Sequence, residues 1–297
     1  MIVITTPTGL IGRQVLVNLL DGGEQVRVIA RDPGKLPARS RGRVEIVTGS
    51  HGDPDVVGRA FDGADAVFWL VPPDPRAPSV HAAYVDFSRP AARAIARTGV
   101  RRVVAVSALG RGVPGEAGFV TGSLAMEDLI AGTGVSLRAL AMPSFMDNLL
   151  RQLGPVREQG VFFSPIAGDL KLPTVATRDV AEVAARRLLD DTWTGQETVP
   201  VLGAEDLSFD DMAATLSEGL GTPVRFQRIS DEAYRTSFVR LGMSEAMAQG
   251  MLDMATAKND GLDLSVPRTP QNTTSTTFRR WAEEVFRPAY QGRAAAS

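Results

Sequence analysis

The sequence predicts an α/β fold in which a parallel sheet is covered by helices on both faces. Short apolar runs alternate with longer helical patterns through the first half of the 297-residue chain. The runs are continuously apolar, as in strands that are buried on both faces of a parallel sheet. The strand-like runs lie at residues 2–5, 25–30, 44–47, 66–71, 103–106 and 136–141. The helical patterns between them lie at residues 10–20, 54–61, 80–97 and 124–131.

Glycines mark the predicted ends of several of these helices. Gly22, Gly23, Gly99 and Gly134 each follow a helical pattern. Glycine is common just past a helix C-terminus because it adopts a left-handed backbone without a steric penalty. The helices and strands are therefore expected to alternate with short connections.

The chain after about Ser144 predicts a smaller C-terminal α/β lobe. Residues 178–191 and 207–220 have apolar residues at helical spacing. Ser208 is expected to cap the second of these helices. Residues 231–260 are also predicted to be helical and carry a methionine stripe that suits either a core or a deformable wall of an apolar pocket. Its members are Met243, Met247, Met251 and Met254.

These patterns predict a domain division. Residues 1–150 are expected to form a dinucleotide-binding sheet domain, to which the chain returns near residues 171–202. Residues 151–290 are expected to form mainly a lobe that binds a substrate or a partner, followed by a flexible tail at 291–297.

Composition excludes several classes of function. The formal net charge is −2 and no basic block is present, which argues against nucleic acid or an anionic membrane as a partner. The absence of cysteine excludes disulfides and thiolate sites, and two histidines, His51 and His81, cannot build a His-rich metal site. We expect a cytoplasmic protein without a signal peptide or membrane span. The oligomeric state stays open, with a homodimer as the commonest arrangement.

The opening segment, TTPTGLIGRQV, predicts a dinucleotide-binding turn. Gly9 and Gly12 stand between the first strand and the first helix, where glycines let the backbone approach a pyrophosphate and let the helix pack closely. Thr8 can donate a hydroxyl hydrogen bond to a phosphate oxygen. Thr6 occupies the position of the first glycine in the usual spacing, which predicts a stiffer turn or one with a different path.

The end of the second strand favours NADP(H) over NAD(H). A carboxylate there would hold a ribose 2′-hydroxyl, whereas a cation accommodates a 2′-phosphate. Arg31 stands at the tip, and Lys35 follows one turn later. The alternative is that Arg31 is a surface cation paired with Asp32.

The ordered motifs resemble the NmrA-like branch of the atypical short-chain dehydrogenases/reductases. They are TTPTGLIGRQV, VRVIARDPGKL, FDGADAVFWLVPP, AIARTGVRRVVAVSALG and EDLIAGTGVSLRALAMPSFMDNLL, with further similarity to about residue 230. The resemblance implies a Rossmann-type doubly wound parallel sheet that binds NAD(P)H, with a small C-terminal lobe. By position it implies cofactor contacts from Thr8, Gly9, Leu10, Ile11, Gly12, Arg31, Leu70, Val71, Pro72 and Ser107. Thr6 and Lys35 are further candidate cofactor-binding residues from the local sequence of the two turns.

The expected catalytic pair of the wider superfamily is missing. Typical members use Tyr-x-x-x-Lys, in which the tyrosine exchanges the proton that accompanies hydride transfer. None of Tyr84, Tyr234 and Tyr290 is followed four residues later by lysine. Some relatives keep only a lysine four residues before the glutamate that matches Glu127, and that position is Ser123.

Three explanations for the missing pair stay open. The acceptor could be quinonoid or conjugated, so that hydride addition gives a stabilised anion that water protonates. A donor could come from elsewhere, with His81, Tyr84 and Ser107 as catalytic candidates because His81 and Tyr84 are three residues apart on a predicted helix. The chain could instead be a non-catalytic NADP(H) sensor or perform a non-redox step.

A small apolar substrate is expected to bind in the C-terminal lobe. The segment PSFMDNLLRQLGPVREQGVFFSP carries apolar and aromatic side chains that could line a pocket. The candidate pocket residues are Pro143, Phe145, Met146, Phe162 and Phe163. The function that best combines these expectations is an NADPH-dependent reductase of a quinonoid or conjugated aromatic acceptor.

Overall fold

A computed structural model describes residues 1–292 of the chain. The part of the predicted flexible tail at residues 293–297 lies outside the described residues. Within residues 1–292, no helix is both long enough and apolar enough to cross a membrane.

The chain divides into two compact units. The first unit comprises Met1–Ala108, Val120–Ala141 and Val180–Val199, and the second unit comprises the intervening segments and the chain from Pro200 on. The predicted boundary at residue 150 differs from this division, because residues 109–119 and 142–150 fall in the second unit. Residues 109–119 do so for a packing reason, since Gly110 lies against Leu262 and Gly118 lies against the backbone of Gly250.

Twelve strands are present in the described residues. They are β1 (Ile2–Ile4), β2 (Val26–Ala30), β3 (Val44–Thr48), β4 (Ala66–Trp69), β5 (Arg102–Ala108), β6 (Ser136–Met142), β7 (Ser144–Phe145), β8 (Val161–Ser164), β9 (Leu172–Val175), β10 (Gln196–Pro200), β11 (Asp206–Leu207) and β12 (Arg225–Arg228). The first six coincide with the predicted strand runs to within three residues at each end.

Eleven α-helices accompany them in the same residues. They are α1 (Leu10–Asp21), α2 (Pro54–Phe61), α3 (Phe87–Thr98), α4 (Phe119–Ala131), α5 (Leu153–Gln159), α6 (Thr177–Leu189), α7 (Phe209–Leu220), α8 (Asp231–Arg240), α9 (Glu245–Asn259), α10 (Phe278–Trp281) and α11 (Arg287–Tyr290). Two π-helical turns, Ala82–Asp86 and Ala282–Phe286, precede α3 and α11.

The central sheet confirms the predicted Rossmann-type fold. It has seven strands in the order β10-β6-β5-β4-β1-β2-β3, and the pairs from β3 to β5 are parallel. The strand order reverses between β1 and β4, and ligands of doubly wound sheets bind outside the carboxyl ends of the strands at such a point. The turn after β1 therefore opens at the position where this fold holds its ligand.

Local capping explains where several helices begin. The Asp53 carboxylate accepts hydrogen bonds from the amides of Asp55 and Val56, and Pro54 takes the first helical position of α2. Ser208 caps α7 as predicted, in a reciprocal capping box with Asp211. These short polar sequences fix helix starts to within one or two residues.

Two helical regions depart from a regular α-helix. The region expected at 80–97 is helical throughout, and its residues Ala82–Asp86 form a π-helical turn ahead of Pro90, whose ring nitrogen cannot donate to the Asp86 carbonyl. The helical region expected at 231–260 consists of two helices, α8 and α9, because Gly242 has a φ of 88° and Ser244 starts α9 as its N-cap. Periodicity predicted helix in both regions, but neither the π-helical turn nor the break at Gly242.

The second unit has its own small sheets and core. One sheet has the order β11-β9-β7 and the other pairs β12 with β8 in parallel. A core cluster forms around α7, α10 and the second π-helical turn, with Phe162, Phe278 and Trp281 among its most buried side chains. On the methionine stripe, Met247 is buried and the other three methionines are partly exposed.

Candidate dinucleotide-binding site

The turn after β1 holds a threonine in a conformation that glycine normally supplies. Thr6 has a φ of 53° and is the one non-glycine residue with positive φ in residues 1–292. Such a conformation costs about 1–3 kcal/mol and persists only where the surroundings impose it. The Thr6 carbonyl accepts a hydrogen bond from the Gly9 amide at 3.0 Å, which closes the turn.

Position 12 requires glycine because the Thr6 carbonyl lies too close for a side chain. A Cβ atom on Gly12 would lie 2.1 Å from the Thr6 carbonyl oxygen, far inside any contact distance. On Gly9 it would lie 3.4 Å from that oxygen, an ordinary contact. Gly12 therefore lets the first turn of α1 meet the turn after β1, whereas Gly9 is free of packing demands and faces outward.

The N-terminus of α1 is suited to an anion. Gly9 is the N-cap, no side chain caps the helix, and its first turn contains no acidic residue. Thr8, Gly9 and Leu10 are exposed, whereas Ile11 is buried. Because the first amides of a helix lack partners and carry partial positive charge, this end can receive a phosphate group.

Thr5 fixes the carboxyl ends of β1 and β4 together, a role that the sequence patterns did not reveal. Its buried hydroxyl donates to the Phe68 carbonyl at 3.0 Å and accepts from the Leu70 amide at 3.0 Å. A buried threonine at the end of an apolar strand was a usable signal, because a buried hydroxyl requires partners. Thr5 thereby orients the chain that leaves β4 through Leu70, Val71 and Pro72.

His51 supports the same segment from the other side. It is buried, lies edge-on to Trp69 and Phe87, and its Nε2 is 3.1 Å from the Leu70 carbonyl. Burial, together with the positive charge of Arg31, lowers the pKa of His51 to about 4, against the hydrogen bond to the Leu70 carbonyl, which raises it. His51 is therefore a buried, neutral residue whose Nε2–H group donates to the Leu70 carbonyl.

Arg31 is available at the tip of β2. The alternative pairing with Asp32 is not formed: the Asp32 carboxylate accepts from the Gly34 amide at 3.0 Å and lies 3.8 Å from the Lys35 ammonium. Among the described residues, no hydrogen bond or ion pair engages the Arg31 guanidinium. The structure thus separates the two predicted cations, with Lys35 neutralised in part and Arg31 exposed to solvent.

Ser107 is joined to a buried carboxylate near the carboxyl end of β5. Its hydroxyl donates to Glu127 of α4 at 2.5 Å, and the hydroxyl of Thr198 of β10 donates to the other oxygen of Glu127 at 3.2 Å. Ser107 and Glu127 are both buried. Sequence reasoning named Ser107 and used Glu127 only as a landmark, so this connection emerges from the fold.

The other two catalytic candidates have different surroundings. His81 is exposed, and its Nδ1 lies 3.6 Å from the Asp86 carboxylate, five residues on, where π-helical geometry places side chains on one face. Tyr84 lies against Gly122 of α4, and burial raises the pKa of its phenol. A catalytic role for either residue stays a prediction.

The predicted pocket residues lie in the second unit. Phe162 and Met146 belong to its core cluster, Pro143 is buried, and Phe145 and Phe163 are partly exposed. Phe162 contacts Phe209 and Phe226 through ring packing. Their contact with a substrate stays a prediction. Among residues 1–292 no group of three or more histidine and acidic side chains could hold a metal ion.

Comparison with known proteins agrees with this geometry. A family profile described as NAD(P)H-binding matches residues 7–191. The chain is 35% identical to a (4-alkanoyl-5-oxo-2,5-dihydrofuran-3-yl)methyl phosphate reductase of Streptomyces griseus, covering 96% of this chain and 97% of that protein. It is 29% identical to an NAD(P)H azoreductase of Xenophilus azovorans, covering 86% of each.

A solved structure shares the fold. An NADPH-dependent quinone oxidoreductase of Escherichia coli, crystallised with NADPH, superimposes with a TM-score of 0.78 at 21% identity. The match covers 96% of this chain and 100% of that one. It confirms the seven-stranded architecture on which the turn after β1 is built.

We expect the two glycines of the turn to respond differently to alanine. Gly12→Ala should lower the free energy of unfolding by about 2 kcal/mol, because the added methyl group would collide with the Thr6 carbonyl. Gly9→Ala should lower it by less than about 1 kcal/mol, since an N-cap glycine tolerates the change sterically. The same change should weaken NAD(P)H binding about tenfold, because the methyl group would stand before the phosphates. Urea unfolding and calorimetry measure both, and a Gly12→Ala variant as stable as the parent would contradict the close approach.

The buried His51 predicts an acid-sensitive fold. Its folded pKa of about 4 lies below the ordinary 6.5, so the unfolded chain binds the proton first as the pH falls. Stability is complete above about pH 6.5 and falls by about 3 kcal/mol as the pH approaches 4. His51→Gln, which keeps a donor for Leu70, should flatten the pH dependence of urea unfolding between about pH 4 and pH 6.5. Equal slopes for parent and His51→Gln would contradict this assignment.

Proposed function

The chain belongs to the NAD(P)H-binding family, in its NmrA-like, atypical short-chain dehydrogenase/reductase branch, and we propose that it is an NADPH-dependent reductase of a small, apolar, conjugated acceptor. The observation that carries the proposal is the turn after β1. There a positive φ at Thr6 and the close approach at Gly12 present an uncapped helix N-terminus at the point where the strand order reverses.

The residues of this turn fit a dinucleotide. The amides at the start of α1 would hold the pyrophosphate, with the Thr8 hydroxyl as a further donor. The main chain around Leu70, fixed by Thr5 and His51, would form the wall on the β4 side. Leu10 keeps 45% of its surface exposed, and a bound cofactor would cover it.

The charge distribution at β2 favours NADPH over NADH. An NAD-specific site places a free carboxylate at this position to bind the ribose 2′-hydroxyl. Here the Asp32 carboxylate is occupied by the Gly34 amide and faces Lys35, whereas the Arg31 guanidinium is exposed. An exposed guanidinium beside the ribose position can bind a 2′-phosphate in a bidentate, charge-assisted manner.

A conjugated acceptor accounts for the missing tyrosine–lysine pair. When bound, NADPH supplies a hydride from its nicotinamide ring. Hydride addition to a carbon–carbon double bond conjugated with carbonyl groups, or to a quinone, moves the electron pair onto oxygen, and the resulting anion takes its proton from water. The name of the S. griseus relative specifies a dihydrofuranone that carries an acyl group and a methyl phosphate, and the name of the X. azovorans relative specifies an azo compound; both contain a conjugated acceptor.

The protein's part in such a reaction is orientation. A chain without the tyrosine and lysine contributes by placing donor and acceptor at a productive distance and by excluding bulk water from the hydride path. We propose that the apolar side chains of the segment from Pro143 to Phe163 serve the acceptor end. Leu10, which is exposed, would supply apolar surface at the cofactor end.

The direct test is turnover with matched acceptors. Purified protein should oxidise NADPH in the presence of a 2-acyl butenolide or a quinone, and leave the saturated acyl lactone unchanged. Use of NADPH deuterated at the transferred position should place deuterium on the acceptor carbon, read by NMR. NADPH binding without turnover on quinone, azo and butenolide acceptors would overturn the reductase proposal in favour of a sensor or a non-redox enzyme.

Arg31 gives the cofactor test. Arg31→Ala should weaken NADPH binding about 30-fold, as expected for a charge-assisted contact to phosphate, and change NADH binding less than about twofold. Lys35→Ala should weaken NADPH binding by less than about threefold, because Asp32 already faces that ammonium. Calorimetric titration of both cofactors measures the difference. Equal losses for NADPH and NADH, or none, would contradict the assignment.

A further inference from the structure

Glu127 is a buried carboxylate in an otherwise apolar contact between α4 and the sheet. Along β5 the side chains that face this contact are Val103 and Ala105, followed by Ser107 two residues on. On α4 the neighbours of Glu127 are Met126 and Ile130, which belong to the same apolar cluster. The apolar interface therefore ends, at the carboxyl edge of β5, in a hydrogen bond between a serine and a glutamate.

A carboxylate in this position needs donors. Glu127 is 5% exposed, and burying a charged group is costly unless its oxygens are hydrogen-bonded. The hydroxyls of Ser107 and Thr198 supply a donor to each of its two oxygens. The arrangement ties β5, α4 and β10 of the first unit together at one point.

The direction of the Ser107 hydrogen bond limits what Ser107 can do. A serine hydroxyl has one hydrogen and two lone pairs. The hydrogen is directed to Glu127, so Ser107 presents only lone pairs to any other group. Ser107 is thus a hydrogen-bond acceptor for any further group that reaches it, and it has no hydrogen to give to a substrate anion.

We propose that Glu127 is a positioning residue that makes Ser107 a hydrogen-bond acceptor for the nicotinamide nucleoside half of NADPH. This rests on the proposed function. With the 2′-phosphate at Arg31 on β2 and the pyrophosphate at α1, the other half of the cofactor extends in the opposite direction across β4 to β5. That is roughly 14 Å from β2, three strand spacings away. The groups it offers there, ribose hydroxyls and a carboxamide N–H, are donors.

The proposed contact requires both a serine at position 107 and a glutamate at position 127. An alanine at position 107 would remove the acceptor. A glutamine at position 127 would keep the size of the side chain, but its amide could donate to Ser107 and turn the serine hydrogen outward, against the donors of the cofactor. Both changes therefore weaken the same contact by different routes.

The experiment compares two ligands on three variants. NADPH and adenosine 2′,5′-bisphosphate, which carries the phosphorylated adenosine half without a nicotinamide nucleoside, are titrated by calorimetry into Ser107→Ala, Glu127→Gln and Thr198→Val. We expect Ser107→Ala and Glu127→Gln to lose about tenfold in NADPH affinity. Their affinity for the bisphosphate should change less than about twofold. The double variant Ser107→Ala/Glu127→Gln should lose no more than the single ones.

Thr198→Val is the matched control. It removes a hydroxyl donor from the same carboxylate but leaves the Ser107 hydrogen on Glu127, so it should bind both ligands as the parent does. A loss of both ligands in Ser107→Ala and Glu127→Gln would show a structural role and overturn the proposal, as would unchanged NADPH binding in either. If the parent protein bound neither ligand, the proposed function itself would fail; if it bound both and only the variants behaved unexpectedly, that function would stand.

Discussion

The contact between the Thr6 carbonyl and the Cα of Gly12 is the constraint on which the candidate site depends. It allows α1 to start within a few residues of the end of β1, so that the free amides at the start of the helix face the carboxyl edge of the sheet. A side chain at position 12 would push the helix away from the strand. The left-handed backbone of Thr6 directs its carbonyl toward Gly12 and lets it accept a hydrogen bond from the Gly9 amide. These contacts offset the cost of the conformation.

A set of buried polar side chains keeps the rest of this edge in place. Thr5 joins the ends of β1 and β4, His51 holds the Leu70 carbonyl, and Glu127 anchors Ser107. Each is buried and each is hydrogen-bonded, which is the condition under which polar groups are tolerated inside a protein. Thr5 follows β1, His51 follows β3 and Glu127 lies on α4, so the carboxyl ends of β4 and β5 are held by side chains from three different elements.

The sequence predicted the elements of the first unit more accurately than their connections. Helix α2 was predicted to the residue, and Ser208 marked the start of α7 as its N-cap. The π-helical turn before α3 and the break at Gly242 were not predicted. The spacing of apolar residues carries no information about a missing backbone N–H group or a single left-handed residue. Arg31 and Ser107 were named from position. The hydrogen bond of Ser107 to Glu127, the exposure of Arg31 and the burial of His51 depend on contacts between residues far apart in the chain. No local sequence pattern encodes such contacts.

Two independent features converge on the chemistry of the acceptor. Helix α4 carries no tyrosine or lysine. The Ser107 hydroxyl, the other candidate donor, directs its hydrogen to Glu127. A substrate whose reduction required a proton from the protein at the moment of hydride transfer would therefore meet no donor in either place. An acceptor that spreads the new electron pair over a conjugated system imposes no such requirement, because its anion persists until water protonates it. Under the proposed function, the polar groups at this edge would bind and orient the cofactor, and the proton would come from water.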